Sequence, residues 1–219
     1  MPYEIITIAK KIVNCYIIHN EDSFIMVDSG FSFYRKAVNE ALIDAGCRPG
    51  ELKLVIITHG DTDHTGNCIF LREKYDAKIA VHPVEAKTLE TGDMLINRKT
   101  RRSFLLRAGF AMSRLLMRGK FKADIFLADG EDLSPYGLNA RVIHTPGHTI
   151  GSISILTAEG DFFCGDFLSN NKMPKVNSLV DDPAEMAASL SKMKSLDIRK
   201  IYPGHGQAFT MEEFLKNNG

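Results

Sequence analysis

The sequence predicts an α/β fold in which two β-sheets pack face to face and helices cover their outer surfaces. The first observation behind this prediction is that apolar, β-rich runs fill the chain before residue 28 and return from residue 125. The second is that segments with helical apolar spacing follow each group of runs. The third is that side chains able to bind a metal ion stand at the ends of several predicted strands.

The first half of the chain begins with three predicted strands and then changes to a helical period. The strands are EIITIA, IVNCYII and SFIMV, and the last one leads into a turn at Asp28. Apolar residues have helical spacing over 34–45, and Gly46 is a suitable stop for that helix. The remaining predictions for this half are a buried strand over 54–57, a helix starting at His64, a strand over 78–81 and a helix after Pro83.

The second half repeats this order of strands first and helices after. Strands are predicted in IFL, LNARVIHT, SISILT and DFFCGD. A helix from about residue 182 to residue 196, a short strand KIY and a last helix from Thr210 follow. Two similar halves favour two sheets in one domain, which we expect to span 1–219.

Length, composition and charge narrow the class of protein. The chain has 219 residues, 44% of them hydrophobic, and equal numbers of basic and acidic residues, 27 each. This balance gives no reason to expect a nucleic acid as partner. We see no signal-peptide pattern and no apolar stretch long enough to span a membrane, so we expect a soluble, cytoplasmic protein. The four cysteines form no C-x-x-C pair and are expected to be reduced, mostly buried thiols.

A basic segment over 97–122 interrupts the two halves. It contains nine Lys or Arg residues and no acid, and its apolar residues form one stripe on a helical projection. We expect a basic amphipathic helical insert whose charges are solvated. Two alternatives stay open: a cap that offers cations to an anionic substrate, and a helix that lies on an anionic membrane surface.

The strand over 54–57 leads into a dense group of metal-ligand side chains, and similar side chains follow later strands beside Gly or Pro. Such residues let the backbone turn tightly at the sheet end. Together they provide enough nitrogen and oxygen ligands for two metal ions with one bridging carboxylate. The candidate ligands are His59, Asp61, Asp63, His64, His148, Asp166 and His205.

Imidazole and carboxylate ligands without thiolate are typical of catalytic sites for zinc, iron or manganese. Structural zinc sites are usually rich in cysteine. A divalent ion lowers the pKa of bound water to about 7 and polarises a carbonyl or phosphoryl oxygen. These residues therefore predict a hydrolytic site in which metal-bound hydroxide is the nucleophile. We expect Asp63 and Asp166 to serve in catalysis as well as in metal binding.

The spacing His-x-Asp-x-Asp-His, followed by a distant His, Asp and His, resembles the metallo-β-lactamase fold superfamily. The resemblance runs from the DSG turn to the YPGHG loop. It implies a four-layer αββα sandwich of the metallo-β-lactamase type. It also implies one metal ion at His59, residue 61 and His148, a second at Asp63, His64 and His205, and Asp166 bridging the two.

Asp61 departs from the family pattern, which usually has a second histidine at this position. A carboxylate makes the site harder, so iron and manganese compete better with zinc, which remains our first expectation for both ions. Asp166 in place of a cysteine is more like hydroxyacylglutathione hydrolases and related thioesterases or lactonases than the best-known zinc β-lactamases.

We expect a dinuclear hydrolase acting on a small ester, thioester, lactone or similar acyl substrate, an anionic one included. One alternative is a di-iron oxidoreductase similar to flavodiiron proteins but without a flavin domain; another is a non-enzymatic sensor with a degenerate site. Asp28 is either a turn residue or an acceptor for a ligand histidine, and His144 is expected to be structural or to support a ligand. The sequence leaves the oligomeric state, a homodimer included, open.

Overall fold

Two six-stranded sheets form the centre of the computed structural model, which describes residues 3–10, 12–20, 23–98 and 120–218. In the first sheet the strands follow chain order, β1 to β6. The three N-terminal strands pair antiparallel, and the pairs from β3 to β6 are parallel. The strands are β1 (Glu4–Lys10), β2 (Val13–His19), β3 (Phe24–Val27), β4 (Leu52–Ile57), β5 (Lys78–Val81) and β6 (Ile125–Phe126).

The second sheet has the order β12-β11-β9-β8-β7, with β10 paired to β9. Its members are β7 (Ala140–His144), β8 (Ile153–Thr157), β9 (Asp161–Asn170), β10 (Lys175–Val176), β11 (Lys200–Gly206) and β12 (Phe209–Thr210). The helices are α1 (Arg35–Asp44), α2 (Thr62–Thr65), α3 (Cys68–Tyr75), α4 (Ala86–Thr91), α5 (Pro183–Lys194) and α6 (Met211–Asn218).

Alternation along the strands produces three layers of buried apolar side chains. In β4, Leu54 and Ile56 point into the core between the sheets, whereas Val55 and Ile57 point towards the helices of the first half. A third cluster packs β9 against α5 and α6, for example through Phe162. Helices, sheet, sheet and helices therefore form four layers, and the predicted αββα sandwich is confirmed.

Several local predictions need correction. His64 does not start a helix: it lies inside the short helix α2, and α3 begins only at Cys68. Strand β6 was expected to belong with the strands of the second half, but it pairs with β5 at the edge of the first sheet.

Asp166 and His205 were predicted to follow strands, but both lie within strands, β9 and β11. These two strands pair in parallel beyond the expected ends, with irregular register around Pro203. Glycine permits this path: Gly165 has φ of +48°, and a Cβ atom there would stand 2.3 Å from the Thr58 hydroxyl oxygen.

The basic insert lies mostly outside the described residues, since its positions 99–119 are among those not described. The prediction of an amphipathic helix there stays a prediction, as does the single domain over 1–219. Among the residues that are described, no helix combines the length and hydrophobicity needed to cross a membrane. All four cysteines are buried free thiols, as expected.

Candidate metal centre

The seven predicted ligands meet at one edge of the sandwich. The loop after β4 carries His59, Asp61 and Asp63, and it continues into α2 with His64. The second half contributes residues from the β7–β8 loop and from strands β9 and β11, namely His148, Asp166 and His205. Both sheets therefore supply side chains to the same place.

One group of ligand atoms, here called the first triad, consists of His59, Asp61 and His148. Asp61 Oδ2 lies 3.6 Å from His59 Nε2 and 3.3 Å from His148 Nε2. All three residues are buried. The first triad thus joins the loop after β4 to the β7–β8 loop.

The second triad consists of Asp63, His64 and His205. Asp63 Oδ2 lies 3.7 Å from His64 Nε2 and 3.5 Å from His205 Nε2. His64 is fully buried, whereas the side chains of Asp63 and His205 are 20% and 18% exposed. Solvent therefore reaches the centre on the side of the second triad.

Asp166 lies between the two triads and presents a different oxygen to each. Its Oδ1 is 3.3 Å from His64 Nε2 and 3.0 Å from His205 Nε2. Its Oδ2 is 3.7 Å from His148 Nε2 in the first triad. One carboxylate can therefore serve both groups of ligands at once.

Asp28 orients the two histidines that come from the loop after β4. Its Oδ2 accepts a hydrogen bond from His64 Nδ1 at 2.8 Å, which leaves Nε2 facing the centre. The same carboxylate accepts from the Thr58 hydroxyl, and that oxygen lies 3.1 Å from His59 Nδ1. Of the two predicted roles of Asp28, the structure shows both, since it stands at the turn after β3 with a φ of +58°.

Backbone carbonyl groups orient the other two histidines. His148 Nδ1 donates to the Leu179 carbonyl oxygen at 2.7 Å. His205 Nδ1 donates to the carbonyl oxygen of Ile12, in the turn between β1 and β2. All four imidazoles are therefore held by Nδ1 and turn Nε2 towards the centre, which is how ligand histidines are usually fixed.

The ligand atoms fit divalent metal ions. Ligands about 2.0–2.2 Å from a tetrahedral ion lie about 3.3–3.6 Å from each other, and the separations within both triads are close to this range. His59 Nε2 and His64 Nε2 are buried and have no hydrogen-bond partner among the described residues. Buried imidazole nitrogens normally have a partner, so these atoms are suited to a metal ion.

Charges around the centre keep its acids ionised. Burial alone would raise the pKa of Asp61, but the Arg98 guanidinium and the neighbouring histidines outweigh it and hold that pKa well below its ordinary value. Burial acts in the same direction on Asp166, where His64 and His205 outweigh it and lower the pKa. Both carboxylates are therefore available as ligands near neutral pH.

Arg98 forms a buried ion pair with Asp61, one of the predicted ligands. Its Nη2 donates to both oxygens of Asp61, at 2.8 and 2.6 Å, and its Nη1 donates to the His148 carbonyl oxygen at 3.0 Å. The Arg98 side chain is only 1% exposed. Sequence reasoning assigned this residue only to the basic insert, although the extra negative charge of Asp61 is a signal that a cation would be found beside it.

Glu85 is a second residue that sequence reasoning missed. Its carboxylate is buried and accepts from the backbone N–H of Gly60 at 3.1 Å and of Gly151 at 3.2 Å. Gly60 lies between two ligands of the first triad, and Gly151 follows the third. Glu85 therefore ties together the two loops on which the first triad is built.

His144, four residues before His148, belongs to none of the groups of candidate ligand atoms. Its Nε2 donates to the Ile150 carbonyl oxygen at 2.9 Å, and its ring stacks on His82 at 4.4 Å between centroids. The expected structural role is thus what the described contacts show.

A sequence model of the metallo-beta-lactamase superfamily matches residues 9–205 of this chain. The chain belongs to the metallo-beta-lactamase superfamily, and the predicted class of enzyme, a hydrolase, is confirmed.

Among curated proteins, a probable metallo-hydrolase of Methanocaldococcus jannaschii is 28% identical over 199 residues, which cover 89% of this chain and 87% of that protein. A hydroxyacylglutathione hydrolase of Acidiphilium cryptum is 27% identical over 182 residues, covering 83% of this chain but 60% of the relative. This chain thus spans less than two thirds of that hydroxyacylglutathione hydrolase.

Solved structures share the fold. The chain is similar to TTHA1623 in a di-iron-bound form, with a TM-score of 0.73 and 23% identity, covering 98% of both chains. It is also similar to the BLEG-1 B3 metallo-beta-lactamase, with a TM-score of 0.72, 21% identity and coverage of 99% and 98%. At such low identity these likenesses concern the fold only.

Proposed function

We propose that this protein is a dinuclear metal-dependent hydrolase that cleaves a small acyl substrate, with a thioester as the first candidate and an ester or lactone next. The main support for this proposal is the position of Asp166, whose two oxygens face different triads. A carboxylate in this position could serve two ions that share one site, and this supports a dinuclear centre. In this proposal His59, Asp61 and His148 hold one ion, and Asp63, His64 and His205 hold the other.

When bound, divalent ions activate water at neutral pH and polarise the carbonyl group to be attacked. The residues of the chain position this chemistry. Asp28 and the carbonyl groups of Leu179 and Ile12 keep the imidazoles turned inwards. Asp63, which is partly exposed, stands where substrate enters and can accept a proton during hydrolysis.

Substrate class is inferred from the relatives. Hydroxyacylglutathione hydrolases, whose name denotes thioester cleavage, align with 83% of this chain in the example from Acidiphilium cryptum. Zinc is the proposed ion for both sites because imidazole and carboxylate suit it, with iron or manganese as competitors because Asp61 adds a carboxylate.

The first experiment measures metal content and hydrolysis together. Protein purified without added metal is analysed for zinc, iron and manganese, and then assayed on a panel of thioesters, esters, lactones, β-lactams and phosphodiesters. We expect two ions per chain and the highest kcat/KM on a thioester. A protein loaded with two ions but inert on the whole panel would contradict the proposed reaction, and a protein that binds no divalent ion would contradict the metal centre itself.

A further inference from the structure

The ion pair between Arg98 and Asp61 gives the first triad a cation of its own. Both oxygens of the Asp61 carboxylate accept hydrogen bonds from Arg98 Nη2. One of them, Oδ2, also faces His59 Nε2 and His148 Nε2. The carboxylate therefore has the guanidinium on one side and the histidine nitrogens on the other. A metal ion held by the first triad would share this oxygen with Arg98.

Compared with a histidine at the same position, Asp61 adds one negative charge to the candidate metal centre. The centre combines histidines with three carboxylates, Asp61, Asp63 and Asp166. A histidine at position 61 would leave two carboxylates. The charges of Arg98 and Asp61 cancel within the pair, and because the Arg98 side chain is 1% exposed, water screens the guanidinium charge only weakly.

We propose that Arg98 is a positioning residue that compensates the charge of Asp61, so that the two residues together act as one neutral unit in place of a neutral ligand. This inference rests on the proposed metal centre. It implies that Arg98 weakens binding of the ion at the first triad, because a guanidinium and a dication repel each other across the carboxylate they share. It also implies that Arg98 stabilises the metal-free protein, where Asp61 would otherwise be a buried charge without a cation.

Two contributions of Arg98 oppose each other and can be separated. Its charge repels a metal ion, whereas its planar fork, with Nη2 on Asp61 and Nη1 on the His148 carbonyl oxygen, holds Asp61 in position and favours binding. The repulsion acts across the whole distance between the guanidinium and the ion. Loss of the fork, in contrast, only lets the short Asp61 side chain move more freely. We therefore expect charge to dominate, and Arg98→Lys, which keeps the charge and loses the fork, to distinguish the two.

The experiment titrates metal-free protein with zinc against a chromophoric chelator and records thermal unfolding without metal. Arg98→Met is expected to melt at a lower temperature without metal. It is also expected to bind one of its two ions about tenfold more tightly, because removal of the guanidinium charge removes its repulsion of the ion. Arg98→Lys is expected to stay within about threefold of the natural protein in zinc affinity, since the charge remains.

The same titration on Asp61→His tests whether the pair acts as a unit. With Arg98 retained, this variant places a buried guanidinium beside the ion without its carboxylate, so we expect one zinc ion to bind about tenfold more weakly. The double variant Asp61→His/Arg98→Met is expected to recover most of that loss. Arg72→Met provides the matched control. Arg72 pairs with Asp124 at 2.7 Å, neither residue belongs to a group of ligand atoms, and the variant should leave zinc affinity unchanged.

Unchanged or weaker zinc binding in Arg98→Met would overturn the inference, as would Arg98→Lys behaving like Arg98→Met. Tighter zinc binding in Asp61→His alone would overturn it too. If the natural protein binds no zinc, iron or manganese, the proposed metal centre fails instead. Failure of the inference is thereby distinguished from failure of the proposed function.

Discussion

The first and second triads contain the same kinds of ligand but are supported in different ways. The first is buried, is assembled from loops of both halves and has Arg98 against its carboxylate. The second is open to solvent at Asp63 and His205, and its buried member His64 depends on Asp28. For the proposed hydrolase we therefore expect different roles, in which charge around the first triad adjusts metal binding and the more exposed second triad meets the substrate.

Asp166 faces both triads, so its replacement should have the largest effect. Asp166→Asn keeps the size of the side chain but removes the negative charge that faces both groups of histidines. We expect kcat/KM to fall by more than about 100-fold and the number of bound ions to drop below that of the natural protein. Metal analysis and steady-state kinetics on the best substrate check this.

Asp197→Asn is the control for that change, since Asp197 is exposed and belongs to none of the groups of ligand atoms. Retention of both ions and full activity in Asp166→Asn would contradict this prediction, because the two triads would then not share the Asp166 carboxylate.

Asp28→Asn should weaken the second triad more than the first. Asparagine tolerates the positive φ of this position, so the backbone is preserved while the charge behind His64 Nδ1 is lost. We expect one zinc ion to bind about 10–100-fold more weakly, the usual cost of losing such a partner. Chelator competition gives the affinity of each ion.

Asp76→Asn makes the same replacement at φ of +55°, a comparable backbone conformation on the surface, and should not change zinc affinity. Equal zinc binding by Asp28→Asn and the natural protein would show that His64 is oriented by other contacts.

Glu85→Ala should affect mainly the first triad and cause the smallest loss of activity of the three changes. It leaves the N–H groups of Gly60 and Gly151 buried without their acceptor, at a cost of about 1–3 kcal/mol each. We therefore expect the free energy of unfolding to fall by about 2–6 kcal/mol and kcat/KM by less than about tenfold. Urea unfolding and the same kinetic assay measure both.

Glu90→Ala on the exposed face of α4 should change the free energy of unfolding by less than about 0.5 kcal/mol. A similar loss in both variants would mean that Glu85 contributes only helix stability and does not tie the two loops together.

The ligand positions were predictable because the chain repeats one device, a buried strand followed by ligand side chains and small residues. This local pattern placed all seven candidates, and the structure brings them to one edge. The exact strand ends were less predictable. Asp166 and His205 lie within β9 and β11 because parallel pairing between these strands carries both of them past the glycine and proline residues that indicated turns.

By itself the sequence determined the fold class, through the periods of its apolar residues, and a set of candidate ligands, through side chains of one chemistry placed after strands. Only the tertiary structure decided how these ligands are tuned. Arg98 meets Asp61 across 37 positions and Glu85 meets Gly151 across 66, and no local period marks either pair. Such contacts depend on how loops from distant parts of the chain pack together, and packing is a property of the folded molecule.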